Sequence, residues 1–244
     1  GGRHQLYAGS HRVLSPSLAG GVWVNRRLKV KASASHTFRL PTFTDLYYRD
    51  PATRGNPSLR PERAWSYEAS AEWHGDKHLT GSLTVFERRE TDGIDYVRNP
   101  EDPFWQAANI QQLRFRGLEA ALLLRLRGGQ QLSLAATRLR GAQQALNGML
   151  SRYVFNYPEH NATLAWQALL PGGFAAHLNN SFTKRPGRDP YSLTNLRMAR
   201  ARGRWRPFLH LSNLTGARYE EIFNVPMPGR AIVGGMEWVV AGGI

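Results

Sequence analysis

The sequence predicts an all-β protein, an antiparallel transmembrane β-barrel with about 12 strands in this chain. Three observations carry that expectation. Apolar and polar residues alternate with period two in segment after segment, the pattern of strands with one apolar and one wet face. The apolar faces run for about 9 or 10 residues, the length a tilted strand needs to cross hydrocarbon. Connections alternate between tight turns and long loops, an asymmetry of outer-membrane barrels that a soluble sandwich lacks. No apolar run approaches the roughly 18 residues of a membrane-crossing helix.

Taken in order, Gln5 to Arg12 reads as a weak strand, followed by a turn at Ser15-Pro16-Ser17. Leu18, Gly20, Val22 and Val24 share the next face, and Asn25-Arg26-Arg27 turns the chain back. Leu28, Val30, Ala32 and Ala34 then oppose Lys29, Lys31, Ser33 and Ser35. Residues 39–62 form a long loop punctuated by Pro and Gly. After it Trp65, Tyr67, Ala69, Ala71 and Trp73 oppose Ser66, Glu68, Ser70 and Glu72, and residues 74–77 make a tight hairpin. Leu79, Gly81, Leu83 and Val85 open a strand that runs on towards Tyr96.

The return strand, Phe104 to Arg127, has the clearest pattern, with Leu118, Ala120, Leu122, Leu124 and Leu126 opposite Glu119 and Arg125. Arg114 and Arg116 share the parity of the leucines but precede the apolar band, which places them at headgroup level or beyond. Gly128-Gly129 turns into Leu132, Leu134 and Ala136. Ala162, Leu164, Trp166 and Ala168 lead to a turn at residues 171–173, and Phe174, Ala176, Leu178 and Phe182 follow, with Asn180 a polar exception on that face. The strand after Tyr191 has the weakest pattern. Trp205, Pro207, Leu209 and Leu211, then Ile232, Gly234, Met236, Trp238 and Val240, complete the series. The longer connections fall at 39–62, 98–103, 142–151, 185–190 and 213–229, and their shared parity puts them together on the extracellular side.

Composition narrows the class further. The formal net charge is +14 over 244 residues, which raises the question of nucleic acid. The arginines, however, are scattered over strands and loops, without a basic helix or an RNA-binding signature, so no nucleic-acid partner is expected. A wet lumen and loops facing anionic lipopolysaccharide or an anionic ligand account for the charge. With no cysteine there is neither a disulfide framework nor a thiolate metal site. The opening GGRHQLYAGS is already in the strand pattern and carries no signal-peptide profile, so any export address is expected to have been removed or to lie upstream.

The stretch FRLPTFTDLYYRDPATRGNPSLRPERAWSYE, from Phe38 to Glu68, resembles the middle of a TonB-dependent outer-membrane receptor barrel, through FRLP, DLYY and GNPSLRPE in that order. Phe115-Arg116-Gly117-Leu118-Glu119 resembles a mid-barrel element, and PFLHLSNLTGARYEEIFNVPMPGRAIVGGMEWVV resembles the closing hairpin of the same family. The resemblance covers nearly the whole chain and weakens before Ser15. It departs at the end, where VVAGGI replaces the usual terminal aromatic. Such receptors build about 22 strands around an N-terminal plug. The resemblance therefore implies the C-terminal portion of that barrel, residues 1–244, without its plug. It also implies import of a ferric siderophore, cobalamin or a similar scarce solute, coupled to TonB through the plug, in the bacterial outer membrane. A passive pore or an adhesin-type barrel without energy coupling is the alternative.

The residues themselves offer no catalytic constellation. Asp45, Asp50, Glu62 and Glu68 lack a companion nucleophile and base, so no enzyme is expected. FRLP and NPSL resemble motifs of haem receptors, but residues 42–56 contain no histidine, and no cofactor is expected. His177 and His210 lack metal-ligand spacing, so no metal is expected. Trp65, Trp73, Trp166, Trp205 and Trp238 read as interfacial girdle anchors. The candidates for substrate binding are loop residues: Tyr47, Tyr48, Arg49 and Arg54 in the longest loop, with Trp105, Tyr153, Arg185, Arg188 and Tyr191 near others. Arginine and tyrosine suit an anionic aromatic chelate, through charge and stacking.

Overall fold

A computed structural model describes residues 2–7, 11–143, 148–152, 157–222 and 225–240. The chain divides into two compact units, one of residues 1–71, 84–118 and 139–157, the other of residues 72–83, 119–138 and 158–244. No helix among the described residues is long and apolar enough to cross a membrane.

The first unit contains β1 (Gly2–Tyr7), β2 (His11–Trp23) and β3 (Leu28–Arg39), then a short helix α1 (Phe43–Tyr47) and a two-residue strand β4 (Thr53–Arg54). It also holds most of β5 (Glu62–His74), β6 (Leu79–Arg98) and β7 (Trp105–Arg125), the end of β8 (Gln131–Gln143), and β9 (Leu150–Ser151). β2 pairs with β1 through Gly2↔Pro16 and with β3 from Ser17↔Ser35 onward. The turn expected at Ser15-Pro16-Ser17 is thus continuous strand. Pro16, which has no N–H to give, sits where the β3 ladder begins, and the flanking carbonyl of Leu14 meets His36 Nδ1 at 3.0 Å instead.

The second unit contains the remainder of β5 to β8, followed by β10 (His160–Leu170), β11 (Phe174–Lys184), β12 (Tyr191–Arg200) and β13 (Trp205–Ser212). A small hairpin, β14 (Glu220–Ile222) with β15 (Val225–Pro226), lies inside the expected 213–229 loop, and β16 (Ala231–Trp238) pairs with β13. Among the described residues the hydrogen-bonded order is β1-β2-β3-β5-β6-β7-β8-β10-β11-β12-β13-β16, 12 strands in line against the about 12 expected, with the two-residue β4 and β9 paired beside β7 and β6. The strand after Tyr191, weakest in pattern, is a full ladder member from Thr183↔Tyr191 to Phe174↔Arg200. Asn180 on the apolar face donates to Ser192 Oγ at 3.0 Å and Thr194 Oγ1 at 2.8 Å, so cross-strand hydroxyls accept its amide hydrogens.

Tight turns and long connections are built differently. Gly128-Gly129 and Gly172-Gly173 all have φ between 72° and 77°, a conformation that side chains with a Cβ resist. Asn25 and Asp76 each accept two backbone N–H groups and close the other turns. The long 39–62 connection is not irregular throughout, because α1 and β4 interrupt it. Buried apolar packing concentrates beside it. Leu59, Ile94, Tyr96 and Ala107 form one cluster with Leu46 and Trp105 against it, and Val97, Ile110 and Leu113 form another with Met149 and Phe115.

Candidate functional site

The site begins with what holds the 39–62 connection in place. Thr42 caps α1: its hydroxyl accepts the Asp45 N–H at 3.1 Å, while the Asp45 carboxylate accepts the Thr42 N–H at 2.9 Å, a reciprocal capping box. Asp45 also takes a hydrogen bond from Arg39 Nη1, and Arg39 bridges onward to Glu62 at 2.8 Å. Of the acids Asp45, Asp50, Glu62 and Glu68, Asp45 and Glu62 thus serve to fold a loop. Gly55 passes so close to α1 that a Cβ there would lie 2.7 Å from the Leu46 backbone. Gln106 then donates to Gly55 O at 3.0 Å and Asn56 to Ala107 O at 3.2 Å, which stitches the connection to β7.

This stitching runs β4 parallel to the start of β7, with Thr53 opposite Trp105 and Arg54 opposite Gln106. The Arg54 guanidinium lies 3.7 Å from the Phe104 ring centroid. Arg98 and Arg152 both stack on Trp105, at 4.8 Å and 5.8 Å. Arg152 also donates to Thr53 Oγ1 at 3.3 Å, and Arg98 to the Asp102 carbonyl at 3.1 Å. Arg98 Nε is buried without a hydrogen-bond partner. Beneath them Asp95, 2% exposed, accepts from the Ser151 hydroxyl and so fixes β9 beside Arg152. Three guanidiniums are thereby held over two aromatic rings, a surface that attracts anions and offers flat faces for stacking.

Of the residues expected to bind substrate, Arg54 and Trp105 come together here. Tyr48 and Arg49 sit in the adjoining turn, where Arg49 and Arg54 bridge through their backbones. Tyr48 donates its hydroxyl to Asp50 at 3.0 Å, and this bond with the carboxylate's charge holds the phenol above the ordinary tyrosine range. Tyr47 is exposed and packs on Phe43, with ring centroids 5.1 Å apart. Tyr153 lies outside the described residues. Arg98, Arg152 and Phe104 are not among the residues expected from the sequence. Their signal is position, since all three flank the 98–103 and 142–151 connections.

Arg185, Arg188 and Tyr191 belong to the second unit and form a separate group there. Arg185 donates to the Tyr191 hydroxyl at 2.7 Å, and Tyr191 packs on Tyr219 with centroids 4.7 Å apart. Burial first, then the charge of Glu221 and the neighbouring Tyr191, push the Tyr219 phenol up. Arg188 donates to the Glu220 carbonyl at 3.3 Å, so it also props the small hairpin.

Comparison with known proteins gives a consistent picture. The family model described as TonB dependent receptor-like, β-barrel, matches residues 1–225. The iron-regulated outer membrane virulence protein of Vibrio cholerae is 31% identical over 189 residues, 68% of this chain and 28% of that protein. The vitamin B12 transporter BtuB of Photobacterium profundum is 31% identical over 105 residues, 42% of this chain and 17% of that protein. Among solved structures, the siderophore receptor PirA from Acinetobacter baumannii superposes with a TM-score of 0.75 at 14% identity, covering 97% of this chain and 42% of that one. PirA from Pseudomonas aeruginosa gives 0.68 at 19% identity, covering 92% and 39%. The chain spans less than half the length of each.

Proposed function

The chain belongs to the TonB-dependent receptor β-barrel family of the outer membrane, and from that premise we propose that it is the C-terminal barrel portion of a receptor importing an anionic ferric siderophore. TonB-coupled energy, transmitted through a plug, is part of the same proposal. The observation that carries the cargo reading is the group of Arg54, Arg98 and Arg152 over Phe104 and Trp105. A ferric catecholate chelate presents negative charge together with flat aromatic faces, and this surface answers both. The iron-regulated relative supports this reading, while the vitamin B12 transporter supports a second one in which the cargo is a neutral corrinoid.

The two readings separate by salt. In the full-length receptor, Arg54→Ala/Arg152→Ala is expected to weaken binding of a ferric catecholate on the order of tenfold and to flatten its salt dependence, because screened attraction supplies part of the affinity. Titrating wild type and variant with the chelate and with vitamin B12, each at two salt concentrations, gives the answer. Unchanged chelate affinity in the variant would overturn the charge-based reading. Saturable vitamin B12 binding with no salt slope would establish the corrinoid instead.

A further inference from the structure

We propose that the outward strand face around Glu87 is a binding site for the phosphate of an outer-leaflet glycolipid, independent of the cargo that the receptor carries. Parity defines the face. On β5 the residues sharing a side with Trp65 and Tyr67, and on β6 and β7 those sharing a side with Val85 and Leu118, form the apolar face that meets hydrocarbon. Glu87 and Arg89 continue the Val85 side of β6, and Arg114 and Arg116 continue the Leu118 side of β7. All of them belong to the first unit. The charges therefore stand just past the apolar band, where headgroups lie.

One carboxylate serves three guanidiniums. Arg114 binds Glu87 with both Nε and Nη2, at 3.0 Å and 2.9 Å, Arg116 Nε binds at 2.7 Å, and Arg89 Nε donates as well. The Glu87 side chain is only 19% exposed, whereas Arg89 and Arg116 are 60% and 59% exposed. The acid is thus beneath and the cations are outermost. Two carboxylate oxygens cannot satisfy three guanidinium forks, each of which carries about five N–H donors. The local balance is a surplus of positive charge, held rigidly by the acid that it outnumbers.

Two grooves give this surplus a shape. Arg89, Arg114, Thr91 and Gln112 line one of about 520 Å³, wide enough for a phosphate with part of its sugar, together with Glu90, whose carboxylate is taken up by Arg88 at 2.9 Å. Tyr67, Ala69, Val85 and Arg116 line the outward side of the other, of about 440 Å³, with Glu68 and Glu87 also at its wall, towards the apolar band and reaching across β5, β6 and β7. Stacked Trp65 and Tyr67, with Arg89 5.8 Å above the Tyr67 ring, complete an aromatic edge of the kind found at membrane interfaces. Charge above and apolar surface below is the order in which a phosphorylated glycolipid presents its own parts. A soluble anion would use the arginines but not the apolar groove.

The test uses the full-length receptor in nanodiscs that contain either bis-phosphorylated lipid A or its dephosphorylated form, with lipid retained per receptor after delipidation read by mass spectrometry. Wild type is expected to retain the phosphorylated form about tenfold more than Arg114→Ala/Arg116→Ala, a factor that fits two solvent-exposed charge pairs of modest strength. It should retain the dephosphorylated form no better than that variant does. Arg114→Lys/Arg116→Lys keeps the charge and should restore most of the retention, and heat-dependent gel mobility shows that each variant is folded. Equal retention by wild type and the alanine variant would overturn the proposal. So would displacement of the lipid by millimolar inorganic phosphate, which would assign the arginines to a soluble anion.

Discussion

The β10–β11–β12 ladder and the 39–62 connection are both well ordered, but they are ordered by different forces. In the ladder, register is unbroken from Leu170↔Phe174 to His160↔Lys184, and again from Phe174↔Arg200 to Thr183↔Tyr191. Backbone pairs hold it, and side chains need only alternate. In the 39–62 connection, side chains do the holding: Arg39, Asp45 and Glu62 join its two ends, and Asn56 and Gln106 fasten its middle to β7. Repetition makes the ladder tolerant of single changes on its wet side. The connection depends on a few residues that have no substitute nearby, and it is the part that places Arg54 over Phe104.

The largest effect belongs to strand bodies, where the membrane punishes a misplaced charge. Leu122, in the apolar series of β7, is expected to lose about 2–4 kcal/mol of folding free energy when replaced by Arg, since that series meets mid-membrane hydrocarbon. Ala121→Arg, one position away and on the wet side, should cost far less. Unfolding of both variants from liposomes by denaturant measures the difference. Equal losses would mean that parity does not define the lipid face.

In the connection the expected effect is smaller and local. Asp45→Ala removes the capping box and the carboxylate that Arg39 binds, a loss of about 1–2 kcal/mol by the scale of helix caps. Hydrogen exchange should accelerate across residues 42–62 while the ladder of the second unit keeps its protection. Arg54 would lose its fixed position over Phe104, so chelate affinity should fall without any change in net charge on the guanidinium groups. Unchanged exchange in 42–62 would show that the stitching to β7 suffices alone.

How much of this was legible in the sequence follows from the same contrast. Alternation is local, so Leu118 to Leu126 and Trp65 to Trp73 announce their strands with no knowledge of partners. There were two exceptions: Gln5 to Arg12, read as one strand, is divided between the antiparallel β1 and β2, and at Pro16 a turn-forming residue sits in continuous strand because its missing N–H falls at the ladder's edge. The site was legible only in part. Arg54 and Trp105 stood out as a loop cation and a loop aromatic, but their meeting depends on β4 pairing with β7, Thr53 with Trp105 and Arg54 with Gln106, a contact between distant parts of the sequence. Arg98 and Arg152 reach Trp105 from two further connections, and nothing in their immediate neighbours marks them. The helix α1 inside the long connection was not read from the sequence, because five residues are too few to show a helical period; its capping box, Thr42 with Asp45, is seen only in the structure.

Asn180 offers the finest test of the contrast, because it carries side-chain bonding into the periodic region. It stands on the apolar face of β11, directly opposite Thr194, and its amide donates to both Thr194 and Ser192. Asn180→Ala removes the donors and leaves two hydroxyls without the amide, for which about 0.5–1.5 kcal/mol is expected. Asn180→Leu also removes the donors but extends the run of Ala176, Leu178 and Phe182, so apolar contact with lipid offsets the lost bonds. The leucine variant should therefore be at least as stable as the alanine one, and close to wild type, in the same liposome unfolding measurement. A leucine variant that loses more than alanine would mean that the amide pins the β11–β12 register, and that this ladder, like the 39–62 connection, leans on a particular side chain.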